Sequence, residues 1–507
     1  MKNLGLKGWI VGLFLIAITL SGCGSSGEGS VKNDIESDSS GNSDGGGGSS
    51  GNSDGGEGSS NPAPTEPPTS SEDLGFKKVM IDGGGITEQQ IDGNGHLVDV
   101  PVEDAGEATT VAVYSDSNGT TVHITYLSAS DGALKHAWCA SENDCSFLDS
   151  WQKEIIDQGS GPQGLGRDGN MAIDQNHQIH VSYRDYGIAQ ISIAANQSAI
   201  DQLQSDSNKI LKYATNASGR WQSVIVDDTT DAVTYTQIKV DGNERIHISY
   251  KAKNQTFVDS VHGIQSDNAL YYATCSQNCL RPASTGTKSP AWTRVRVDGG
   301  WEPGNNNYAE PNSTFITNDA IHISYYANET LKYATCPLTT PDSCKTVQEW
   351  SLGVVDDIGN VGRENSLAVN SDGVHITYRS LNPEGNVKYA FCATGKDCTQ
   401  KGNWTTITVD SNPGTGKCTQ IRIDGQNRLH VIYGDSRNGD LKYAFCVGGC
   451  IDPSQWSLYL IDAPGTIGGD GYLALESDGP DQTVHVSYRD GGNYALKYAF
   501  GPTPIPD

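Results

Sequence analysis

Positive charge is what this chain has least of: 34 Lys and Arg stand against 61 Asp and Glu, a formal net charge of −27. That deficit excludes the clustered cations that grip nucleic-acid phosphates and discourages adhesion to an anionic membrane surface. Long apolar runs are also missing. The run from Trp9 to Leu20, behind Lys2 and Lys7, is too short for a comfortable transmembrane helix and reads as the core of a secretory signal. No Gly-x-Ser-x-Gly, His-Glu-x-x-His or phosphate-loop string occurs, so the corresponding enzyme classes lack support. No nucleic-acid partner, no cofactor and no metal are expected.

After the apolar run the chain reads Leu20-Ser21-Gly22-Cys23, which resembles the bacterial lipobox. The resemblance implies a lipoprotein signal peptide over 1–22 and a lipidated Cys23 as first mature residue. Gly24 rather than Asp after the Cys is similar to the outer-membrane sorting pattern. The expected location is therefore the bacterial cell envelope, lipid-anchored in the outer membrane, periplasmic or surface-exposed. Residues 23–74 hold the anchor and a Gly/Ser/Asn/Asp and then Pro-rich stretch that cannot bury enough apolar surface to offset ordering entropy. A flexible tether of about 50 residues has an r.m.s. reach of about 40 Å, enough to hold a head clear of the membrane.

What fills residues 75–501 is a cassette repeated seven times, leaving 502–507 as a tail. Its His recurs at His123, His180, His247, His322, His375, His430 and His485, each followed three positions on by Tyr. A second signature follows, Leu-Lys-Tyr-Ala at 211–214, 331–334, 441–444 and 496–499, with close variants at 134–137, 270–273 and 387–390. Each unit carries four strand-like pieces separated by Asp/Asn/Gly turns, the first two as hairpins. The fourth piece begins in Trp and ends in Asp, as in Trp151 to Asp157, and occurs only six times after a complete set of the others. The missing copy lies upstream, where Phe76-Lys-Lys-Val-Met-Ile-Asp82 has the same pattern with Phe for Trp. The N-terminal segment is therefore expected to supply the outer strand of the last unit and close a ring. The fold class is all-β, a seven-bladed propeller of four-stranded blades, which leaves no long free sheet edge. A monomer is expected.

Ten of the twelve cysteines fall in close pairs between the third and fourth strand of one blade: Cys139 with Cys145, Cys275 with Cys279, Cys336 with Cys344, Cys392 with Cys398, and Cys446 with Cys450. In an exported protein these read as five local disulfides. No His sits beside a pair, which argues against zinc. Cys418 is left over and is read as a buried or unreactive thiol. The repeated His, Lys and strand-ending Asp are read as scaffold, because a catalytic group is needed once and a packing group in every blade.

Function is sought where the blades differ. With the first strand innermost, the loops after strand two and before strand one open on one face around the central shaft. There the residue after the signature Tyr is Leu127, Arg184, Lys251, Tyr326, Arg379, Gly434 or Arg489 in turn, with Asp185, Asp435 and Asp490 adjacent. The loops entering strand one add Arg167-Asp168 and Arg363-Glu364, and aromatic Tyr186, Trp301 and Tyr308 join them. Arg forks hold carboxylates bidentately and aromatic faces stack on sugars or cations. The expected ligand-binding set is Arg167, Arg184, Arg363, Arg379, Arg489, Asp490 and Trp301. The expected ligand is a glycan or an envelope or extracellular protein, bound without catalysis. The bland alternative is that the Arg/Asp pairs are salt bridges between loops.

In repeat style the chain resembles bacterial propellers of the sialidase and lectin type over about residues 75–501. That resemblance implies an Arg triad on a substrate carboxylate, a Tyr/Glu nucleophilic pair and an Asp acid/base. Arg184, Arg379 and Arg489 are the residues that would imitate the triad. The sialidase Asp-box is absent and no Tyr/Glu pair can be placed, so a glycoside hydrolase using Asp168, Asp185 or Glu364 is the alternative reading, and an envelope interaction platform the third.

Overall fold

Strands in a propeller blade bury both faces, so alternation within a strand separates two buried surfaces rather than a wet and a dry one. The His-x-x-Tyr runs behave this way: in Ile179–Asp185 and Leu429–Asp435 every residue is buried. In the computed structural model, which describes residues 72–504 apart from 85–86, 92–96, 102, 141, 159–164, 166–167, 186–209, 229–230, 260–262, 283–287, 300–307, 382–384, 464–466 and 477–481, each run is the second strand of an antiparallel sheet. Six blades take their four strands in chain order, beginning with Ala105–Asp116, Gly119–Ser128, Ala133–Cys139 and Trp151–Asp157 in blade one. Blade seven takes three from Ile467–Leu475, Thr483–Asp490 and Ala495–Pro502, and its outer strand is Lys77–Gly83 from the other end of the chain. The inner strands of successive blades touch all the way round, the seventh against the first. The ring is closed as expected.

Two features were not foreseen. Glu72–Asp73, placed by composition in the tether, pairs in parallel with Tyr459 and Leu460 and covers the outer edge of blade six. A two-stranded hairpin, Thr87–Ile91 with Leu97–Pro101, precedes blade one. Blade three is longer than the others in its middle hairpin, formed by Ile246–Asp259 and Gly263–Cys275. The long stretch 186–209, between the second and third strands of blade two, lies outside the described residues.

The repeated residues are mortar. In every blade the pairing of third and fourth strand slips at the first step of the second signature, as between Leu134 and Lys135, so that the strand-ending Asp stands opposite its Leu, or Val387 in blade five. That bulge sets the Asp against the next blade. Each of the seven accepts a hydrogen bond from the following blade's signature Tyr: Tyr126 to Asp82 at 2.7 Å, Tyr183 to Asp157 at 2.5 Å, Tyr250 to Asp227 at 2.7 Å, Tyr325 to Asp298 at 2.6 Å, Tyr378 to Asp356 at 2.7 Å, Tyr433 to Asp410 at 2.9 Å and Tyr488 to Asp462 at 2.7 Å. The signature Lys reaches the same carboxylate, as Lys332 does at 2.9 Å and Lys388 at 2.5 Å. In blade three Tyr271 takes the Lys position, and Arg294 approaches Asp227 to 4.0 Å.

The signature His works inside its own blade. Nδ1 lies 2.6–2.7 Å from the Tyr hydroxyl of the third strand in His180, His247, His375 and His430, while Nε2 reaches the Asp or Asn of the first hairpin turn. Both ring nitrogens are occupied, which disposes of metal ligation there. All five expected disulfides form: Cys139 bonds to Cys145, Cys275 to Cys279, Cys336 to Cys344, Cys392 to Cys398, and Cys446 to Cys450. Four of them position a Trp whose indole N–H donates to the carbonyl of the second Cys: Trp151 to Cys145, Trp292 to Cys279, Trp404 to Cys398, and Trp456 to Cys450 at 2.9 Å. The fourth-strand Trp then packs edge-on against the preceding blade's Tyr, with 5.1 Å between the centroids of Trp151 and Tyr498. The Cys336–Cys344 bridge is buried at both ends beside Trp350. Five disulfides suit an oxidising, extracytoplasmic compartment. Cys418 is buried but is not a free thiol, which corrects the expectation for it.

Candidate functional site

The inner strands wall the shaft, and all but the second blade's described strand carry a further irregularity. Pairing with strand two slips between Glu107 and Thr110, Thr234 and Gln237, Tyr308 and Asn312, Arg363 and Ser366, Lys417 and Gln420, and Gly469 and Tyr472. An extra residue at each slip turns toward the axis. Counted from the residue opposite each His, one position recurs as Ala108, Asp168, Tyr235, Pro311, Glu364, Cys418 and Asp470. Ala108, Tyr235, Glu364, Cys418 and Asp470 hold left-handed backbone with φ of 50–54°, an uncommon state for non-glycine residues. All seven line one cavity of about 80 Å³. At roughly 10–15 Å³ per water that space has room for a few waters or a small ion.

At the mouth, two of the expected arginines are already spoken for, as is the Lys251 that follows blade three's signature Tyr. Arg184 pairs with Asp168 at 3.0 Å, both side chains fully buried. Arg489 grips Asp104 with its Nη2 at 2.8 and 3.1 Å and reaches Glu107 at 3.1 Å. Lys251 is paired with Glu310. These are braces between neighbouring segments, the bland reading of the Arg/Asp pairs. Asp490 accepts from the Gly492 and Asn493 backbone N–H groups at 3.1 Å and from the Asn493 side chain, a turn clasp, and Asp185 lies 3.2 Å from Lys212. Of the three carboxylates entertained for hydrolysis, two are thus committed to ion pairs. Arg167, Trp301, Tyr186 and Cys23 lie outside the described residues.

The sector between blades five and six differs. Arg363 and Arg379 are direct partners in the pairing of Val361–Val369 with Gly373–Ser380. Neither makes an ion pair among the described residues, and the buried Nε of each has no hydrogen-bond partner. The Arg363 guanidinium lies 4.7 Å from the Tyr326 ring centroid. Lys417 joins them from blade six. Burial pushes the Glu364 carboxyl above its ordinary value, against the pull of Arg379, Lys417, Arg363 and the Cys418 backbone N–H. Burial also pulls the Arg379 guanidinium down, with Arg363 adding to the effect and Glu364 opposing it. Lys417 is lowered for the same reason.

Lys417, Tyr235 and Asp470 escaped the sequence reading, which looked just after the Tyr and at the Arg-bearing loops. Counting four residues back from the residue opposite each His would have found Tyr235 and Asp470, and five back Lys417.

Fold and site define a seven-bladed propeller with an unequal, charged shaft mouth. No family model matches the chain, and no curated protein matches it. Among solved structures, an ulvan lyase of polysaccharide lyase family 25 is similar at 12% identity with TM-score 0.47, over 78% of this chain and 94% of that one. A protein of unknown function from Dyadobacter fermentans is similar at 14% identity, TM-score 0.40, over 66% and 93%. Trypanosoma rangeli sialidase is similar at 10% identity, TM-score 0.40, over 84% and 59%. At these identities the likeness is one of fold.

Proposed function

We propose that the protein is an exported, lipid-anchored receptor that holds an acidic glycan, carboxylated or sulfated, on the shaft mouth between blades five and six, without chemistry. The carrying observation is the opposition of Arg363 and Arg379 in adjacent strands with no counter-ion in contact among the described residues. Like charges set directly opposite in a sheet are destabilising. An anionic group bridging the two guanidinium forks relieves that repulsion and uses their bidentate geometry. Lys417 adds a third cation, and the Tyr326 ring beneath Arg363 keeps its fork in place. In a chain of net charge −27, such a group of cations is the feature that would select an acidic ligand.

A hydrolytic reading keeps one supporting observation, the raised Glu364 carboxyl among cations, which is the state a general acid requires. One experiment weighs the two. The full chain is incubated with arrays of neutral, carboxylated and sulfated glycans, and both retained protein and released sugar are measured. Retention on acidic glycans only, lost in Arg379→Ala and weakened by salt, is the expected result. Sugar release abolished by Glu364→Gln would replace the receptor reading with the hydrolase. Retention that ignores Arg379→Ala, or none at all, would remove the site.

A further inference from the structure

Each blade seats the first aromatic residue of its outer strand on the blade before it, and one seat is built differently. Six rest on a third-strand Tyr, as Trp151 does on Tyr498 and Trp350 on Tyr272. Trp221 of blade two instead meets His136 of blade one edge-on, with 5.8 Å between centroids. Blade two contains no cysteine, so Trp221 has no disulfide carbonyl to bond. Its indole N–H donates to Glu154 Oε1 of blade one at 2.9 Å. His136 Nδ1 lies 2.9 Å from the same oxygen, and His136 Nε2 lies 2.9 Å from His123 Nδ1.

A carboxylate only accepts hydrogen bonds, which fixes every proton in this chain. The bonds from His136 and Trp221 hold the Glu154 carboxyl below its ordinary value, against burial, so it is ionised at neutral pH. Glu154 takes the His136 Nδ1–H; His136 Nε2 is then an acceptor and takes the His123 Nδ1–H. His123 Nε2 is left a bare lone pair, buried and without a hydrogen-bond partner. Scaffold histidines carry the opposite tautomer. In His180, His247 and His430 an Asp at 3.1–3.2 Å takes the Nε2–H, and Nδ1 accepts from a Tyr hydroxyl. The position that supplies this Asp, two beyond the residue opposite the His, is Tyr114 in blade one. Its ring stacks on His123 at 5.6 Å and, across the seam, on the exposed His177 of blade two at 4.0 Å.

An added proton therefore has one place to go, His123 Nε2, where the new N–H meets no acceptor. Unmatched charge away from water is costly. In blades two, three and six the imidazolium would already rest on its Asp. We infer that the seam between blades one and two is an acid-released latch, in which proton uptake by the His123–His136 pair parts the chain from His123 to Trp221 and frees the Trp221 end of blade two's outer strand. The latch lies on the face opposite the mouth and uses none of its residues. Other charged groups on the packed elements are engaged elsewhere: Asp116 accepts from the Asn118 N–H at 2.7 Å, Lys135 is paired with Asp131, Lys153 with Asp82 at 2.7 Å, and Asp174 with His180 at 3.2 Å. Arg220, next to Trp221, is exposed. Burial, with His136 and His177, holds the latched His123 down at about 3, Glu154 pulling the other way.

An opened His123 returns to about 6.5. With the latched value depressed, opening becomes easier as pH falls from about 6.5 toward 3, and uptake of one proton raises its equilibrium constant about 20-fold between about pH 7 and 5. Hydrogen exchange of the full chain, read by mass spectrometry and corrected for intrinsic rate, follows this in residues 134–139 and 221–227. Strands 269–275 and 350–356, which carry the Tyr272–Trp350 seat, are the reference and should respond far less. His136→Tyr, which installs the residue of the other six seats, should bring the response down to that of the reference. Ring nitrogen shifts of the wild-type chain near neutral pH should show His123 and His136 as Nδ1–H tautomers, against Nε2–H in His180, His247 and His430; this readout needs no variant. Equal responses at the two seams, a response that survives His136→Tyr, or an Nε2–H tautomer at His123 would overturn the latch.

Discussion

Asp82 is the residue on which ring closure can be tested. It lies on the borrowed outer strand of blade seven and faces blade one, where Tyr126 donates to it at 2.7 Å, Lys153 at 2.7 Å, and Lys135 stands at 3.6 Å. Asp82→Asn keeps the shape and removes the charge. The buried Tyr126 bond to a carboxylate contributes about 1.5–3 kcal/mol. Lys153, 41% exposed, adds less than about 1 kcal/mol after solvent screening. The substitution should therefore cost about 2–4 kcal/mol, read as the midpoint shift in urea unfolding of the full chain. Tyr126→Phe should cost about 1.5 kcal/mol or more, and the double variant clearly less than the sum, because both remove one contact. The burial that would raise the Asp82 carboxyl is outweighed by Lys153 and Tyr126, so it lies below its ordinary 3.8. With the folded value depressed, its contribution is complete above the unfolded value and is lost as pH falls through the folded one. The wild-type and Asp82→Asn curves should accordingly converge in strong acid. A cost within about 0.5 kcal/mol of zero, the range of ordinary surface substitutions, would refute the clasp.

Four further outcomes follow from the same geometry. Burial holds His322 and His375 down at about 4 and His123 at about 3, so stability is full above pH 6.5 and declines as pH falls from there toward 4; a flat profile over that window in denaturant titrations would contradict it. Reducing a disulfide that closes so short a loop, such as Cys446–Cys450 with a separation of 4, should cost about 2 kcal/mol and free the Trp456 indole, seen as a Tm drop with a fluorescence change in the variant carrying Cys446→Ser and Cys450→Ser. Glu364→Gln should strengthen retention of acidic glycans severalfold by removing the negative charge among Arg363, Arg379 and Lys417; weaker retention would mean that Glu364 itself holds the ligand. Mass spectrometry of the mature protein should find Cys23 first in the chain and acylated, whereas an unmodified Cys23, or one engaged in a disulfide, would refute the anchor.

The fold was legible because its signals repeat. The Trp-to-Asp strand found at Phe76 to Asp82 announced the closure, and the pairing of Lys77–Gly83 with Ala495–Pro502 confirms it. The Asp, Lys and His of each cassette read as scaffold, though not which neighbour each would hold: that depends on the bulge at the Leu-Lys step, which leaves no mark in residue type. The site was half legible. Arg184 and Arg489 look no different from Arg379 in sequence, yet Asp168, just before the adjoining strand of the same blade, and Asp104, from the other end of the chain, neutralise the first two. Lys417, Tyr235 and Asp470 were missed because a shaft wall draws one residue from each blade, about 50 or more residues apart, and only the register against each signature His connects them.

The left-handed residues of the shaft wall have a consequence for how such a molecule changes. Their orientation is imposed by main-chain register, while the load between blades is carried elsewhere, by the Asp, Tyr and Lys clasps and the Trp seats. The positions of Ala108, Tyr235, Glu364 and Asp470 therefore act as interchangeable sockets, and these occupants already differ in size and charge on one backbone. Recognition can be rewritten there, one address per blade, without renegotiating stability. A combinatorial library confined to those four codons would sample new ligands on an unaltered frame, with Asn and Gly the substitutions that best suit its left-handed torsions.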